Sequence, residues 1–322
     1  MILRVRSGLK YLVLLVVVPI SLSLVWLRWE SGLPRNVWFN ERHGAIQTVA
    51  TERTGTNFGQ LSESVRLTSD SGLRVSLRVI RNETSDGTLP VLIILGGHRT
   101  GSDAVELFGH VGHRAVVGVD YPYDGPDRPK GTIAIARTIP LARQAFLDTT
   151  PAVSLILDWS LEQSWVDENR MIIVGASLGV PFAVAAAARD ERITGVMLIH
   201  GAADNRLWIE TQIARRMNTR LLHAPLATVL YWLAYGPILD AGEHIASISP
   251  RPVLIIGARE DERTPAGQSE LLFDAARDPK RLRYTDGRHI QPNRTEIVTE
   301  LLRIADEELP FLTQGPTAYR SQ

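Results

Sequence analysis

Residues 171–179 read Met-Ile-Ile-Val-Gly-Ala-Ser-Leu-Gly, an apolar run that ends in a Gly-x-Ser-x-Gly pentapeptide centred on Ser177. The run 171–174 has the length and apolarity of a strand buried on both faces. The small apolar residues at 180–189 read as a helix packed closely on a sheet. A serine between two such elements sits on a sharp strand-to-helix turn, its hydroxyl projecting above the carboxyl end of a parallel sheet. Gly175 and Gly179 have no Cβ, so the turn can be tight and the helix can approach the strand. A five-residue pattern recurs by chance, and the flanking strand and helix are what give it meaning.

Outward from this turn the chain alternates strands with helices. Residues 64–68 and 73–81 alternate apolar and polar side chains, which predicts an antiparallel hairpin at a sheet edge. Residues 91–95, 115–119, 193–199 and 253–256 are short apolar runs, and a weaker strand lies around 282–284. Residues 133–165 carry helical periodicity that Thr149-Thr150-Pro151 should interrupt. This order predicts an α/β fold, with a mostly parallel sheet joined by right-handed helical crossovers. Between 201 and 250 lies an insertion longer than a crossover, with helices expected at 205–218 and 221–233 and a short turn before Ile245. It can cap a pocket, with Trp208, Leu230, Tyr231, Trp232 and Tyr235 as candidate linings of an apolar acyl site. Ordinary helix packing accounts for the same five residues.

The first thirty residues read differently. Arg4, Arg6 and Lys10 precede residues 11–27, none of which is charged. As a helix, this stretch spans roughly 26 Å, against a hydrocarbon core of about 30 Å. Trp26 and Trp29 follow at its far end, where aromatic rings favour the interface. The stretch exceeds a signal-peptide core and no small-x-small site follows it, so residues 1–30 read as a signal anchor rather than a cleaved signal; secretion after cleavage is the alternative. Large C-terminal domains translocate largely regardless of flanking charge, which puts the remainder outside the cytoplasm (the periplasm, in a bacterium). Residues 31–60 show little periodicity and read as a tether, with the folded domain at 61–322.

With 35 basic and 35 acidic residues in 322, the net charge is zero. That balance excludes nucleic acid as the main partner, because neutralising phosphates needs a basic surplus. There is no cysteine, hence no disulfide, thiolate nucleophile or cysteine metal site.

A serine hydroxyl needs an adjacent base, itself oriented by an acid. Of eight histidines, His289 lies on a loop after the last strand, with Gly287 allowing the turn that aims it back over the sheet. The acid belongs after an earlier strand. Asp261, after the strand 253–256, is the candidate; its neighbour Glu260 can substitute, and Asp204, after the strand 193–199, is a rival. For an oxyanion the expected donors are the N–H of Leu178 and, from the loop Gly96-Gly97-His98, that of Gly97 or His98. The ring of His98 can also serve as a polar group in the site. His110 and His113 have a metal-like spacing but no third ligand nearby, and His200 ends a strand as a structural residue.

These pieces together resemble the α/β-hydrolase superfamily: the glycine-rich loop at Gly96-Gly97, the elbow 175–179, the acid loop 257–261 and Gly287-Arg288-His289. The likeness covers roughly residues 60–310. It is closest to the branch of dienelactone-hydrolase-like enzymes and acyl esterases, although dienelactone hydrolases use cysteine where this chain has Ser177. The resemblance implies acyl transfer to water on a small-molecule or lipid acyl substrate, through Ser177, His289 and Asp261, with no metal or organic cofactor. It leaves room for a peptidase or acyltransferase with the same residues, and for a hydrolase fold kept only as a binding module.

Overall fold

The computed structural model describes residues 13–57, 59–83, 87–97, 100–126 and 128–313. Ile46–Asn57 (β1), Gln60–Ser69 (β2), Arg74–Asn82 (β3), Leu89–Leu95 (β4), Ala115–Val119 (β5), Val166–Ala176 (β6), Gly195–Ile199 (β7), Val253–Ala258 (β8) and Lys280–Thr285 (β9) form one sheet. Its order is β1-β2-β3-β5-β4-β6-β7-β8-β9. The pairings β1–β2, β2–β3 and β3–β5 are antiparallel, and all those from β5 across to β9 are parallel.

The apolar runs are explained by burial on both faces. β4 is buried at every residue. Its Val91, Ile93 and Leu95 enter one core layer and Leu92 and Ile94 the other, as the two-residue period of a strand dictates. The outlying β2 and β3 have less cover and alternate accordingly.

Ten α-helices accompany the sheet among the described residues: Val18–Ser31 (α1), Asn36–His43 (α2), Thr132–Leu161 (α3), Gly179–Ala187 (α4), Asn205–Ala214 (α5), His223–Leu233 (α6), Gly236–Leu239 (α7), Ala241–His244 (α8), Gln268–Ala275 (α9) and Thr295–Thr313 (α10). Helices α3, α4 and α9 share one core layer, and α10 fills the other through Ile297, Leu301 and Ile304.

Three expectations change. Residues 31–60 are not a mere tether, because α2 and the twelve-residue β1 incorporate most of them into the fold. Their polar sequence suits an edge strand with open faces, which is why periodicity did not expose it. Helix α3 does not break at Thr149-Thr150-Pro151; it runs on through Pro140 and Pro151. An interior proline costs about 3 kcal/mol. The fully buried Val153, Leu155, Ile156 and Leu157 each contribute roughly 1.5–3 kcal/mol, so tertiary burial outweighs the local penalty. In the insertion, the helix expected at 205–218 stops at Ala214, the next spans His223–Leu233, and α7 and α8 then lead back to β8.

Of the apolar segment at residues 11–27, Tyr11 and Leu12 lie outside the described residues, as do Arg4, Arg6 and Lys10. No single helix among the described residues is long and apolar enough to cross a membrane. Leu15–Ser31 and Asn36–His43 meet that test only as a pair bent by 69°. Helix α1 nevertheless turns Ile20, Leu22, Val25 and Trp26 outward. Its carboxyl end is fastened to the domain: Glu30 pairs with Arg35 and, at 2.5 Å, with Arg143 of α3, and it accepts from the Tyr235 hydroxyl at 3.1 Å.

Candidate active site

Five loops leave the carboxyl ends of parallel strands on one edge of the sheet, where open α/β sheets place their ligands. They follow β4 (Gly96-Gly97), β6 (Ser177), β7 (His200), β8 (Asp261) and β9 (His289). Ser177 has φ 54°, in the left-handed region that a non-glycine residue rarely enters. The strain is held by its surroundings: the Ser177 N–H donates to the Ile199 carbonyl at 2.8 Å, and helix α4 begins two residues on. A Cβ at Gly179 would lie 2.0 Å from the Leu95 carbonyl oxygen, so only glycine lets α4 start this close to β4.

His289 Nε2 lies 2.8 Å from Ser177 Oγ, and its Nδ1 lies 3.0 and 2.9 Å from the two carboxylate oxygens of Asp261. An ionised carboxylate only accepts, so Nδ1 carries the proton and Nε2 offers its lone pair to the serine hydroxyl. The His289 side chain is 1% exposed. Its backbone is also pinned, because its N–H donates to Glu262 at 3.0 Å and its carbonyl accepts from Arg294 at 2.6 Å. Asp261 Oδ1 accepts in addition from the N–H groups of Arg263 and Thr264, each at 2.8 Å. Burial pushes the Asp261 carboxyl up, but the His289 contact and these N–H donors outweigh it and leave it below its usual value. For Glu262, burial is likewise outweighed by Arg294 and the His289 N–H, which bring it down to about 2.

Two of the candidate acids go elsewhere. Asp204 caps α5, accepting from the Leu207 N–H at 2.8 Å, as its place before a helix would suggest. Glu260 is exposed. Of the candidate oxyanion donors, Leu178 immediately precedes α4. A Cβ on Gly97 would sit 3.4 Å from that of Ser177, and His98 lies outside the described residues. The Tyr121 hydroxyl, which sequence reasoning did not single out, donates to the Gly96 carbonyl at 2.6 Å and steadies that loop.

His200 proves to lie beside His289, a closer neighbour than a strand-end residue need be. Its ring centroid is 5.7 Å from that of His289. Its Nδ1 accepts from the Ile290 N–H at 2.8 Å and its Nε2 faces Thr285 Oγ1 at 2.9 Å. Burial, then the nearby His289, lower its pKa to about 4, so it is neutral at pH 7. Among the described residues, only His200, Asp261 and His289 bring three metal-ligand atoms together, within 4.8 Å. The Nδ1 atoms of both histidines and the Asp261 carboxylate are committed to the hydrogen bonds above.

The prolyl oligopeptidase family profile (Peptidase_S9) matches residues 151–305. Protein YfhR of Escherichia coli K12, described as uncharacterized, is 27% identical over 239 residues, covering 71% of this chain and 74% of its own. Acetyl xylan esterase from Paenibacillus sp. R4 superposes with a TM-score of 0.61 at 16% identity, over 84% of this chain and 93% of that one. Acetyl xylan esterase 1 from Thermoanaerobacterium sp. JW/SL YS485 gives 0.59 at 18% identity, over 87% and 93%. The chain has the α/β-hydrolase fold.

On this fold two cavities meet at Ser177, with Leu178 and Trp208 as their shared wall. The larger, about 580 Å³, runs beneath α10 among Leu92, Val174, Met197 and Leu301, with Arg216 and Arg263 also on its lining. The smaller, about 320 Å³, lies between α3 and the cap. Of the five cap residues expected to line an acyl site, Trp208 and Leu230 line the smaller cavity. Tyr231 instead donates to Asp240 at 2.9 Å, Trp232 lies under Arg28, and the Tyr235 ring is contacted by Arg35 and Arg143. Burial holds the Tyr231 hydroxyl above its ordinary pKa, with the Asp240 carboxylate adding to it.

Proposed function

We propose that the protein is a membrane-anchored serine hydrolase that cleaves carboxylic esters or thioesters through an acyl-enzyme. The observation that carries this reading is the unbroken chain from Asp261 through His289 to the strained Ser177. Ser177 Oγ attacks the substrate carbonyl carbon while His289 Nε2 takes the hydroxyl proton. The N–H groups of Leu178 and Gly97 receive the developing oxyanion. As the intermediate collapses, the carbon–oxygen or carbon–sulfur bond to the leaving group breaks, and His289 gives that group its proton. Water then attacks the acyl-Ser177 with His289 again as base, which frees the carboxylic acid and returns the proton to Ser177. Asp261 holds the tautomer and stabilises the imidazolium throughout.

The two esterases of similar fold support an ester substrate. Cavities lined mainly by aliphatic side chains favour acyl groups over sugars. The apolar stretch 11–27 and the outward apolar side chains of α1 support a membrane anchor, with the domain outside the cytoplasm. A peptidase using the same three residues is the second reading, favoured by the family match over 151–305.

Incubating the full chain with a fluorophosphonate probe and a set of p-nitrophenyl esters and peptide p-nitroanilides tests the proposal. Wild type should label and cleave esters, and Ser177→Ala should do neither. Equal labelling of the two would refute the nucleophile, and faster cleavage of anilides than esters would select the peptidase. For topology, a C-terminal reporter active only outside the cytoplasm should be active; silence would place the domain inside.

A further inference from the structure

The smaller cavity is unusual in what it lacks. Apart from Ser177 at its inner end, its polar side chains are Arg143, Asn205 and the Trp208 indole. Two of these are already committed. Arg143 pairs with Glu30 and donates to the Leu233 carbonyl at 2.9 Å, and Asn205 donates to the Leu239 carbonyl at 2.8 Å. What remains is a passage walled by Phe146, Phe182, Ile209 and Leu239 that leads to one reactive hydroxyl. Beyond the Trp208 indole and Ser177 it offers no uncommitted polar side chain, so most polar groups of a sugar or a peptide backbone would lose their water without finding partners. A hydrocarbon chain has no such requirement.

The mouth of the passage tells where that chain would come from. Ile139 of α3 and Leu230 of α6 line it and are also exposed. Further exposed apolar side chains belong to the same helix α3 and to the segment leading into α6. On α3 these are Ile133 (71% exposed) and Ile135, and just before α6 they are Leu221 (89%) and Leu222. Water-soluble domains rarely display so many together, and such patches mark membrane or partner surfaces. The apolar helix α1 ends at the same place. Glu30 binds Arg143, one turn along α3 from Ile139, and Arg28 lies over Trp232 of α6. The helix is therefore fastened at the rim of the passage, and its outward Ile20, Leu22, Val25 and Trp26 continue the apolar surface.

We infer that this passage between α3 and α6 admits the alkyl chain of a bilayer-resident lipid ester directly from the membrane into which α1 inserts. The inference deepens the proposed ester hydrolysis at Ser177 and rests on it. The larger cavity, with Arg216 and Arg263 on its lining, takes the part of the lipid on the other side of the scissile bond.

The test uses the full chain reconstituted in phosphatidylethanolamine–phosphatidylglycerol vesicles that contain 4-methylumbelliferyl palmitate. Soluble 4-methylumbelliferyl acetate and fluorophosphonate labelling run in parallel. Leu230→Trp and Ile139→Trp should narrow the mouth and lower the palmitate-to-acetate ratio of kcat/KM at least tenfold. Ile135→Glu, which lines neither of the two cavities, should lower the same ratio when palmitate sits in vesicles but much less when it is dispersed in detergent. A ratio that stays within twofold in both tryptophan variants overturns the passage. An equal loss for Ile135→Glu in vesicles and detergent overturns entry from the bilayer. Absence of fluorophosphonate labelling in wild type is a separate outcome, which removes the hydrolase reading and this one with it.

Discussion

His200→Leu isolates a residue that supports the backbone beside His289, the base of the proposed reaction. The buried ring accepts the Ile290 N–H, next in the chain to His289, and faces Thr285 Oγ1. Leucine has similar bulk and neither nitrogen. The Ile290 N–H, left buried and unpaired, would cost about 1–3 kcal/mol. Thr285 keeps a long contact to the Gly257 carbonyl at 3.4 Å, so its loss is smaller. Position 200 also has φ 51°, which histidine and asparagine tolerate better than leucine. Left-handed strain adds roughly 1 kcal/mol, bringing the destabilisation to about 2–4 kcal/mol.

Catalysis should suffer by displacement of His289. Its Glu262, Asp261 and Arg294 contacts survive, which limits the movement to well under 1 Å. Since about 1 Å of misplacement costs roughly 100-fold, kcat should fall about tenfold with KM nearly unchanged. His200→Asn restores an acceptor near the Nδ1 position and tolerates the backbone, so it should recover most of the rate.

A pH signature separates this role from mere packing. The native pKa of His200, about 4, lies below the unfolded value of 6.5, so the unfolded chain binds more protons between those limits. Wild-type stability is full above pH 6.5 and declines toward pH 4. His200→Leu lacks that loss, so the stability gap to wild type should narrow as pH falls through the same window. Urea unfolding in detergent at several pH values, with p-nitrophenyl acetate kinetics, provides both readouts. A leucine variant as stable and as fast as wild type, or a gap independent of pH, would refute the reasoning.

Asp261→Asn should lower kcat about 10⁴-fold by favouring the wrong tautomer, whereas Asp204→Asn, which retains a capping side chain, should stay within a few-fold; comparable losses would reopen the choice of acid. Gly179→Ala puts a methyl group 2.0 Å from a backbone oxygen that cannot yield; it should abolish activity and reduce folded protein in a thermal melt, and normal melting with full turnover would contradict the close approach. Glu262, held down at about 2 against an ordinary 4.5, contributes stability above pH 4.5 that is lost as pH falls toward 2. The advantage of wild type over Glu262→Gln in melting temperature should therefore be constant from pH 7 to 5 and shrink below it. Glu30→Gln should loosen α1 from the cap, seen as faster proteolysis near residue 32 and no change in fluorophosphonate labelling.

Much of the parallel sheet was legible because a strand buried on both faces must be apolar at every position, and 91–95, 115–119 and 253–256 are. The elbow was legible because a Gly-x-Ser-x-Gly turn between an apolar strand and a small-residue helix is a local pattern, with Gly175 crowded by Val180 and Ala183 of the helix that follows. Strand β1 was not, since an edge strand with open faces imposes no pattern that distinguishes it from a polar loop. Nor was the continuity of α3, where the prolines argue locally for a break and the sheet beneath argues, more strongly, against one. The cap aromatics illustrate a third limit. Helical spacing cannot tell a ring that lines a cavity, such as Trp208, from one that anchors a neighbouring helix, such as Trp232 or Tyr235.

By itself the sequence determined the succession of strands from β2 to β9 and the chain order in which Ser177, Asp261 and His289 occur, all consequences of local pattern and turn chemistry. Only the tertiary structure decided which carboxylate faces His289, that His200 holds the neighbouring backbone, and that two cavities meet at Ser177. Those facts depend on loops as far apart in the chain as Gly96 and His289, 193 residues, arriving at one sheet edge. Their spacing there is set by strand register and by the approach of helix to strand, to within a few tenths of an ångström.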